Sequence, residues 1–351
     1  MRRFVCLLFA MIAGCGVPSG DGFAELSSPT TAPLVPRRGT LITDGCALDP
    51  WQERVLATDS TSLVVKEVVF LCALPLRDGQ VNPTDASGRA AFAEQVTALS
   101  PRYTVQLGVS FTDGSGYRYD GEQTATELAD EKWRTATVAS LQGFVTATGV
   151  AGLELDFQKL PSRARADLNL FAIALRGALV GKQIGLMLPP PDVAQGFDVP
   201  TLAKYVDRVR SMTLDFSEPE AGPVADPGWM LDTYRSVRAL AGPTVTMDLA
   251  YPLFGTDMGP KGGRWVSWFE AQGLAQFRRA TPVRGPTGAL HYGWTDDAGG
   301  AHQTWYDDAQ STLWALHALD DAKLPEDVGL VFYGFGSEDP ALFGTLAKAR
   351  R

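Results

Sequence analysis

The segment Val150-Ala-Gly-Leu-Glu-Leu-Asp-Phe-Gln158 constrains the fold more than any other stretch of the chain. Apolar Val150, Leu153, Leu155 and Phe157 surround Glu154, Asp156 and Gln158, which recur with period two. Side chains on a β-strand alternate between faces, so the three polar groups share one face, spaced about 6.6–6.8 Å apart. The apolar face suits a strand packed beneath helices. Polar groups buried in a row are unfavourable unless they line a cavity or bond one another. The segment is therefore either a site at a strand end or a satisfied structural network.

Strand-like and helix-like runs alternate through the rest of the chain. Strands are expected at Gly39–Thr43, Val64–Ala73, Tyr103–Phe111, Gly149–Phe157, Gln183–Leu188, Val209–Phe216, Thr244–Tyr251 and Val328–Phe335. Helices are expected between most of them, at Ala86–Leu99, Ala125–Ala147, Ser162–Leu179, Pro200–Tyr205, Trp229–Ala241 and Asp307–Leu319. Eight such units predict an α/β fold, a closed (β/α)8 TIM barrel. A doubly wound open sheet fits the alternation too, but its glycine-rich dinucleotide turn is missing. With no repeat and no second linker, residues 39–351 read as one domain, and 45% hydrophobic content supplies a sizeable core. In such a barrel chemistry sits at the C-terminal strand ends, and Gln158 ends the fourth strand.

The first residues read as an export signal. Arg2-Arg3 precede an apolar run from Phe4 to Ala13, too short to span a bilayer, and then Gly14-Cys15-Gly16. Ile12-Ala13-Gly14-Cys15 looks like a bacterial lipobox, with Cys15 as the lipidated residue; an ordinary signal peptide with an incidental Cys is the other reading. Residues 1–14 are then the signal peptide. Residues 15–38, rich in Pro, Ser, Thr and Gly from Gly16 onward, are a flexible tether. Gly16 after the Cys favours the outer membrane in a Gram-negative cell. Loss of Arg2 and Arg3 shifts the net charge from −9 to −11. An acidic chain without a basic cluster excludes nucleic acid and anionic lipid as expected partners, leaving the lipid anchor as the membrane contact. Cys46 and Cys72 are either a disulfide, as an exported chain permits, or two small buried hydrophobes.

At Gly152, its apolar spacers and Asp156 the chain resembles glycoside hydrolase family 18, the chitinases, whose signature strand reads Asp-Gly-x-Asp-x-Asp-x-Glu. The departures are Ala151 for the first Asp, Glu154 for the second, and Gln158 for the terminal Glu. Val206-Asp-Arg-Val-Arg-Ser-Met-Thr-Leu-Asp215 resembles the family's Val-Asp-x-x-x-x-Met-Thr-Tyr-Asp strand: Met212 and Asp215 match, while the Tyr is Leu214. Trp294 and Trp305-Tyr-Asp-Asp308 with Ser311 resemble a β-hairpin and helix start inserted between strands seven and eight. Gly329–Tyr333 resembles the last strand, with Tyr333 in place of its Trp. The likeness runs over roughly residues 39–345.

The resemblance implies a substrate-assisted glycosidase site, in which the sugar's own N-acetyl oxygen attacks. The acid, the residue orienting the acetamido group and that group's two further holders would map to Gln158, Asp156, Leu214 and Asp215. An amide has no proton that titrates near neutral pH, and general acid catalysis typically contributes about 10²–10⁴-fold. Leu214 removes a hydroxyl of a kind worth about 10²–10³-fold. The expectation is a barrel that binds N-acetylated glycans, chitin-type or peptidoglycan-type, without hydrolysing them. The alternatives are a divergent hydrolase using Asp215, Asp248 or Asp113, and an envelope scaffold. Glu154, one pleat deeper, is expected to share a proton or hydrogen bond with Asp156.

The expected ligand set is Asp156, Gln158, Met212, Asp215, Tyr251, Trp294 and Tyr333. Trp265 and Trp268, at i and i+3, read as one buried helical face. Asp113-Gly-Ser-Gly-Tyr-Arg-Tyr-Asp120 reads as a turn-rich loop. No metal and no cofactor are expected. His291, His302 and His317 lack metal-ligand spacing, and neither a phosphate loop nor a Gly-x-Ser-x-Gly elbow is present.

Overall fold

The computed structural model describes residues 32–83, 85–111 and 120–350. Eight parallel strands form its centre: β1 (Gly39–Asp44), β2 (Glu67–Pro75), β3 (Thr104–Ser110), β4 (Gly152–Asp156), β5 (Gln183–Leu188), β6 (Arg208–Ser211), β7 (Thr246–Pro252) and β8 (Gly329–Tyr333). Each pairs in parallel with its neighbours, and β1 pairs with both β2 and β8, so the sheet closes. The fold is the expected (β/α)8 barrel.

Alternation along each strand divides the core in two. Outward residues such as Leu153, Leu155 and Phe157 pack under the helices, beside Leu141, Phe144, Phe171 and Leu175. Inward residues Ile42, Val69, Met187, Met212, Leu214, Ala250 and Val331 fill the barrel. Below them lies a charged layer. Arg210 Nε donates to Glu154 Oε2 at 2.7 Å, and Arg208 Nη1 to Glu67 Oε2 at 2.8 Å. Arg210 also bonds Glu67 and faces Asp248 at 3.4 Å, while Arg38 pairs with Asp248. Buried charges are tolerable only when paired in this way.

Local chemistry explains where the elements depart from expectation. Gly149, at φ 73°, caps the helix Glu131–Thr148 in the left-handed region, which delays β4 to Gly152. The helix expected over Ala125–Ala147 is two, Gly121–Ala129 and Glu131–Thr148; Asp130 ends the first and caps the second through Lys132 N. Of the residues expected in the tether, those near its end are held against the barrel: Leu34 is buried and Arg37 pairs with Asp320 at 2.7 Å. Cys46 and Cys72 are joined in a disulfide, with Cα atoms 4.8 Å apart.

The insertion between β7 and β8 is larger than a hairpin. An antiparallel five-stranded sheet runs Gly262–Val266, Gly255–Gly259, Ala301–Tyr306, Leu290–Thr295, Val283–Arg284. The helix Trp268–Arg278 covers it over a small core of Val266, Ala271, Ala275, Tyr292 and Tyr306. Ser267 and Glu270 form a capping box at the helix start, so Trp265 lies on a strand and only Trp268 on the helix. The pair is therefore no single helical face, and Trp265 is 43% exposed. Among the described residues no helix is long and apolar enough to cross a membrane, and Cys15 lies outside them.

Candidate functional site

Asp156 is the last residue of β4 and points into the barrel mouth, fully buried. Gln158 Nε2 donates to its Oδ1 at 3.0 Å, and the Tyr333 hydroxyl, from the end of β8, donates to its Oδ2 at 3.1 Å. Three of the expected residues thus converge, because period two places Asp156 and Gln158 on one face and closure brings β8 opposite. Met212 and Leu214 are buried beside Tyr333 in the apolar layer beneath.

Asp215 follows β6 at φ 64°, a left-handed conformation that Asp tolerates better than most residues. It is open to solvent on one side but set in a concave wall, so protein fills most of its surroundings. That desolvation, with the nearby Glu218 charge, pushes its carboxyl up to about 6, against a smaller opposing effect of Lys159.

Asp44 is a member the sequence reading missed. It continues the inward row of β1 above Ile42, at the edge of the mouth. It is open to solvent on one side, but protein crowds the other; that desolvation, then the Asp156 charge, pushes its carboxyl up to about 6. The signal was available, since Asp44 directly follows the expected strand Gly39–Thr43 and keeps its period.

Four expectations are corrected. Glu154 bonds Arg210 rather than Asp156; burial, offset in part by Arg210, leaves its carboxyl at about 7. Asp248 lies low in β7, in the charged layer with Arg38, Arg208 and Arg210, and takes no place at the mouth. Tyr251 has the outward parity of β7; its hydroxyl donates to Asp307 Oδ2 at 2.8 Å among the covering helices. Trp294 belongs to the insertion: its Nε1 donates to Asp257 and Thr304, both at 3.1 Å, and its ring stacks on His302 at 4.0 Å. Asp113 lies outside the described residues.

A different aromatic line leaves the mouth. Tyr333 meets Phe254 edge-on at 6.5 Å, and Phe254 stacks on Trp265 at 4.3 Å. Beside Trp265, the segment following β6 and the first hairpin of the insertion enclose a cavity of about 60 Å³ that also takes in Asp215 and Arg264. No group of three or more metal-ligating side chains gathers among the described residues.

A closed barrel with polar groups at its C-terminal mouth, and an α+β insertion after the seventh strand, defines the class: a (β/α)8 barrel carrying an inserted α+β module. Among solved structures, the spore cortex-lytic enzyme SleL of Bacillus cereus superposes with a TM-score of 0.72 at 15% identity, over 90% of this chain and 75% of that one. The C-terminal domain of a putative chitinase from Desulfitobacterium hafniense gives 0.72 at 18%, over 90% and 99%. The chitinase of Chromobacterium violaceum gives 0.69 at 20%, over 88% and 98%. At such identities the likeness establishes the fold. No family model and no curated protein matches the chain.

Proposed function

We propose that this chain is an exported, lipid-anchored envelope protein whose barrel binds N-acetylated glycans, chitin-type or peptidoglycan-type, without cleaving them. The observation that carries the reading is the Gln158–Asp156 hydrogen bond at 3.0 Å. Gln158 holds the place where the resemblance implies the proton donor, and its amide has no titrating proton to give. It keeps the donors and acceptor with which a sugar is held. Leu214, 5% exposed in the apolar layer, offers no hydroxyl to an acetamido group. The Cys46–Cys72 disulfide agrees with an oxidising compartment, and the lipobox at Cys15 with an anchored one, at the outer membrane in a Gram-negative cell.

The test is a calorimetric titration with N-acetylglucosamine oligomers, paired with overnight incubation of the same oligomers with wild type and Gln158→Glu. Binding without shortening by wild type supports the reading, and shortening by Gln158→Glu shows that the cleft still aligns its ligand. Shortening by wild type overturns it and directs attention to Asp215. Neither binding nor shortening leaves an envelope scaffold.

A further inference from the structure

The cavity beside Trp265 has two unlike walls. One is Trp265 itself, which has one indole face against Phe254 at 4.3 Å yet remains 43% exposed. An indole backed in this way is a fixed apolar plate, and amphipathic rings of this kind suit the C–H face of a sugar. The other is the segment after β6, held as a compact turn by Phe216 N to Val224 O at 2.9 Å and Ser217 Oγ to Pro223 O at 2.9 Å. It presents Asp215, Glu218 and Glu220 to the same space. Arg264 is the cationic residue lining the cavity, and it is shared with Asp257 at 3.5 Å and Glu270 at 3.8 Å, both outside that lining.

Size and charge together define what fits. About 60 Å³ is far below the roughly 300–1,000 Å³ of a site that encloses a whole small molecule. A pyranose ring must therefore lie across Trp265 and send only a substituent inward. A carboxylate there would meet three like charges in a partly desolvated space, whereas an acetamido group or an ammonium would not.

We infer that Trp265 is a sugar-ring platform whose carboxylate-lined cavity restricts the ligand to uncharged or amine-bearing hexosamines, and rejects glycans that carry ring-borne carboxylates. This inference rests on the glycan-binding reading and narrows it. It selects chitin-type chains over muramic-acid chains with free lactyl groups.

The experiment titrates the full chain with three tetrasaccharides: N-acetylglucosamine tetramer, glucosamine tetramer, and an alternating N-acetylglucosamine–N-acetylmuramic acid tetramer with free lactyl carboxylates. The first two are expected to bind, and the third at least about tenfold more weakly. Trp265→Ala should weaken the neutral tetramer about three- to tenfold, with Trp265→Tyr close to wild type. Glu218→Gln with Glu220→Gln, both on the exposed turn, should recover binding of the anionic tetramer. Raising the salt should narrow the discrimination, because exposed charges are screened. Equal affinity for neutral and anionic tetramers overturns the inference and leaves glycan binding intact, as does an unchanged neutral affinity in Trp265→Ala. Failure of all three tetramers to bind overturns both.

Discussion

Gln158 lies two residues past Asp156, the last residue of β4, and its amide donates to the buried Asp156 carboxyl at 3.0 Å. Removing the donor while the acceptor stays buried costs about 1–3 kcal/mol. Gln158→Leu should therefore lower the urea-unfolding free energy by that amount. Gln158→Glu behaves differently with pH. Beside Asp156, a glutamate is pushed above its ordinary range, so its folded-state affinity for the proton exceeds its unfolded one. Its stability should lie close to wild type near pH 4 and fall below it as the pH rises to 8. Parallel unfolding curves at both pH values check the sign.

The charged layer in the lower barrel yields a second prediction. Arg210 is fully buried and bonds both Glu67 and Glu154, while facing Asp248. Arg210→Met leaves carboxylates buried without their guanidinium, a loss of about 3–5 kcal/mol. Adding Glu154→Gln to that variant should recover part of the loss, because the two side chains form one network and their effects do not add. A double-mutant cycle by urea unfolding measures the coupling.

How much of this was legible in sequence differs by layer. The eight strands and their order could be read because each is a short apolar run bounded by helix-like segments. That Asp156 and Gln158 share a face could be read from period two, whereas Tyr333 was expected beside them only because Gly329–Tyr333 resembles the last strand of the chitinase family. The pairing of Arg210 with Glu67 could not, since the partners lie 143 residues apart and no local pattern links their strands. Asp248 was misplaced for the same reason: its distance along β7 from the mouth depends on where the strand starts. Trp265 was misread because i, i+3 spacing also arises across a strand-to-helix junction. Ser267-x-x-Glu270, a capping box, marked that junction.

The disulfide gives a third prediction. Cys46 and Cys72 are 26 residues apart in sequence, and closing a loop of that length stabilises a domain by roughly 2–4 kcal/mol. Reduction, or Cys46→Ser with Cys72→Ser, should lower the unfolding free energy by that amount. Because Cys46 follows Asp44 by two residues, the same change should loosen the β1 end of the mouth. Faster amide exchange at residues 44–48 in the reduced protein checks this.

Asp44 connects the mouth to pH. Its carboxyl, open to solvent on one side only, is pushed up to about 6 from an ordinary value of 3.8, by partial desolvation first and by the Asp156 charge second. The folded protein therefore holds a proton at Asp44 between about pH 4 and 6 that the unfolded chain has released. Its contribution to stability is complete below pH 4 and disappears as the pH rises through 6. Asp215, also pushed up to about 6, acts with the same sign. Carboxylates held low by partners, such as Glu67 beside Arg210 and Arg208, act with the opposite sign, so the readout has to be a difference. The gap between wild type and Asp44→Asn in urea midpoint should shift steadily between pH 4 and 6 in favour of the variant, then level off. Asp156→Asn removes the charge that raises Asp44, so the Asp44 midpoint, followed by carboxyl NMR, should move down toward the ordinary range. A midpoint that stays at about 6 in Asp156→Asn would assign the whole shift to burial and remove Asp156 as the neighbour that tunes it.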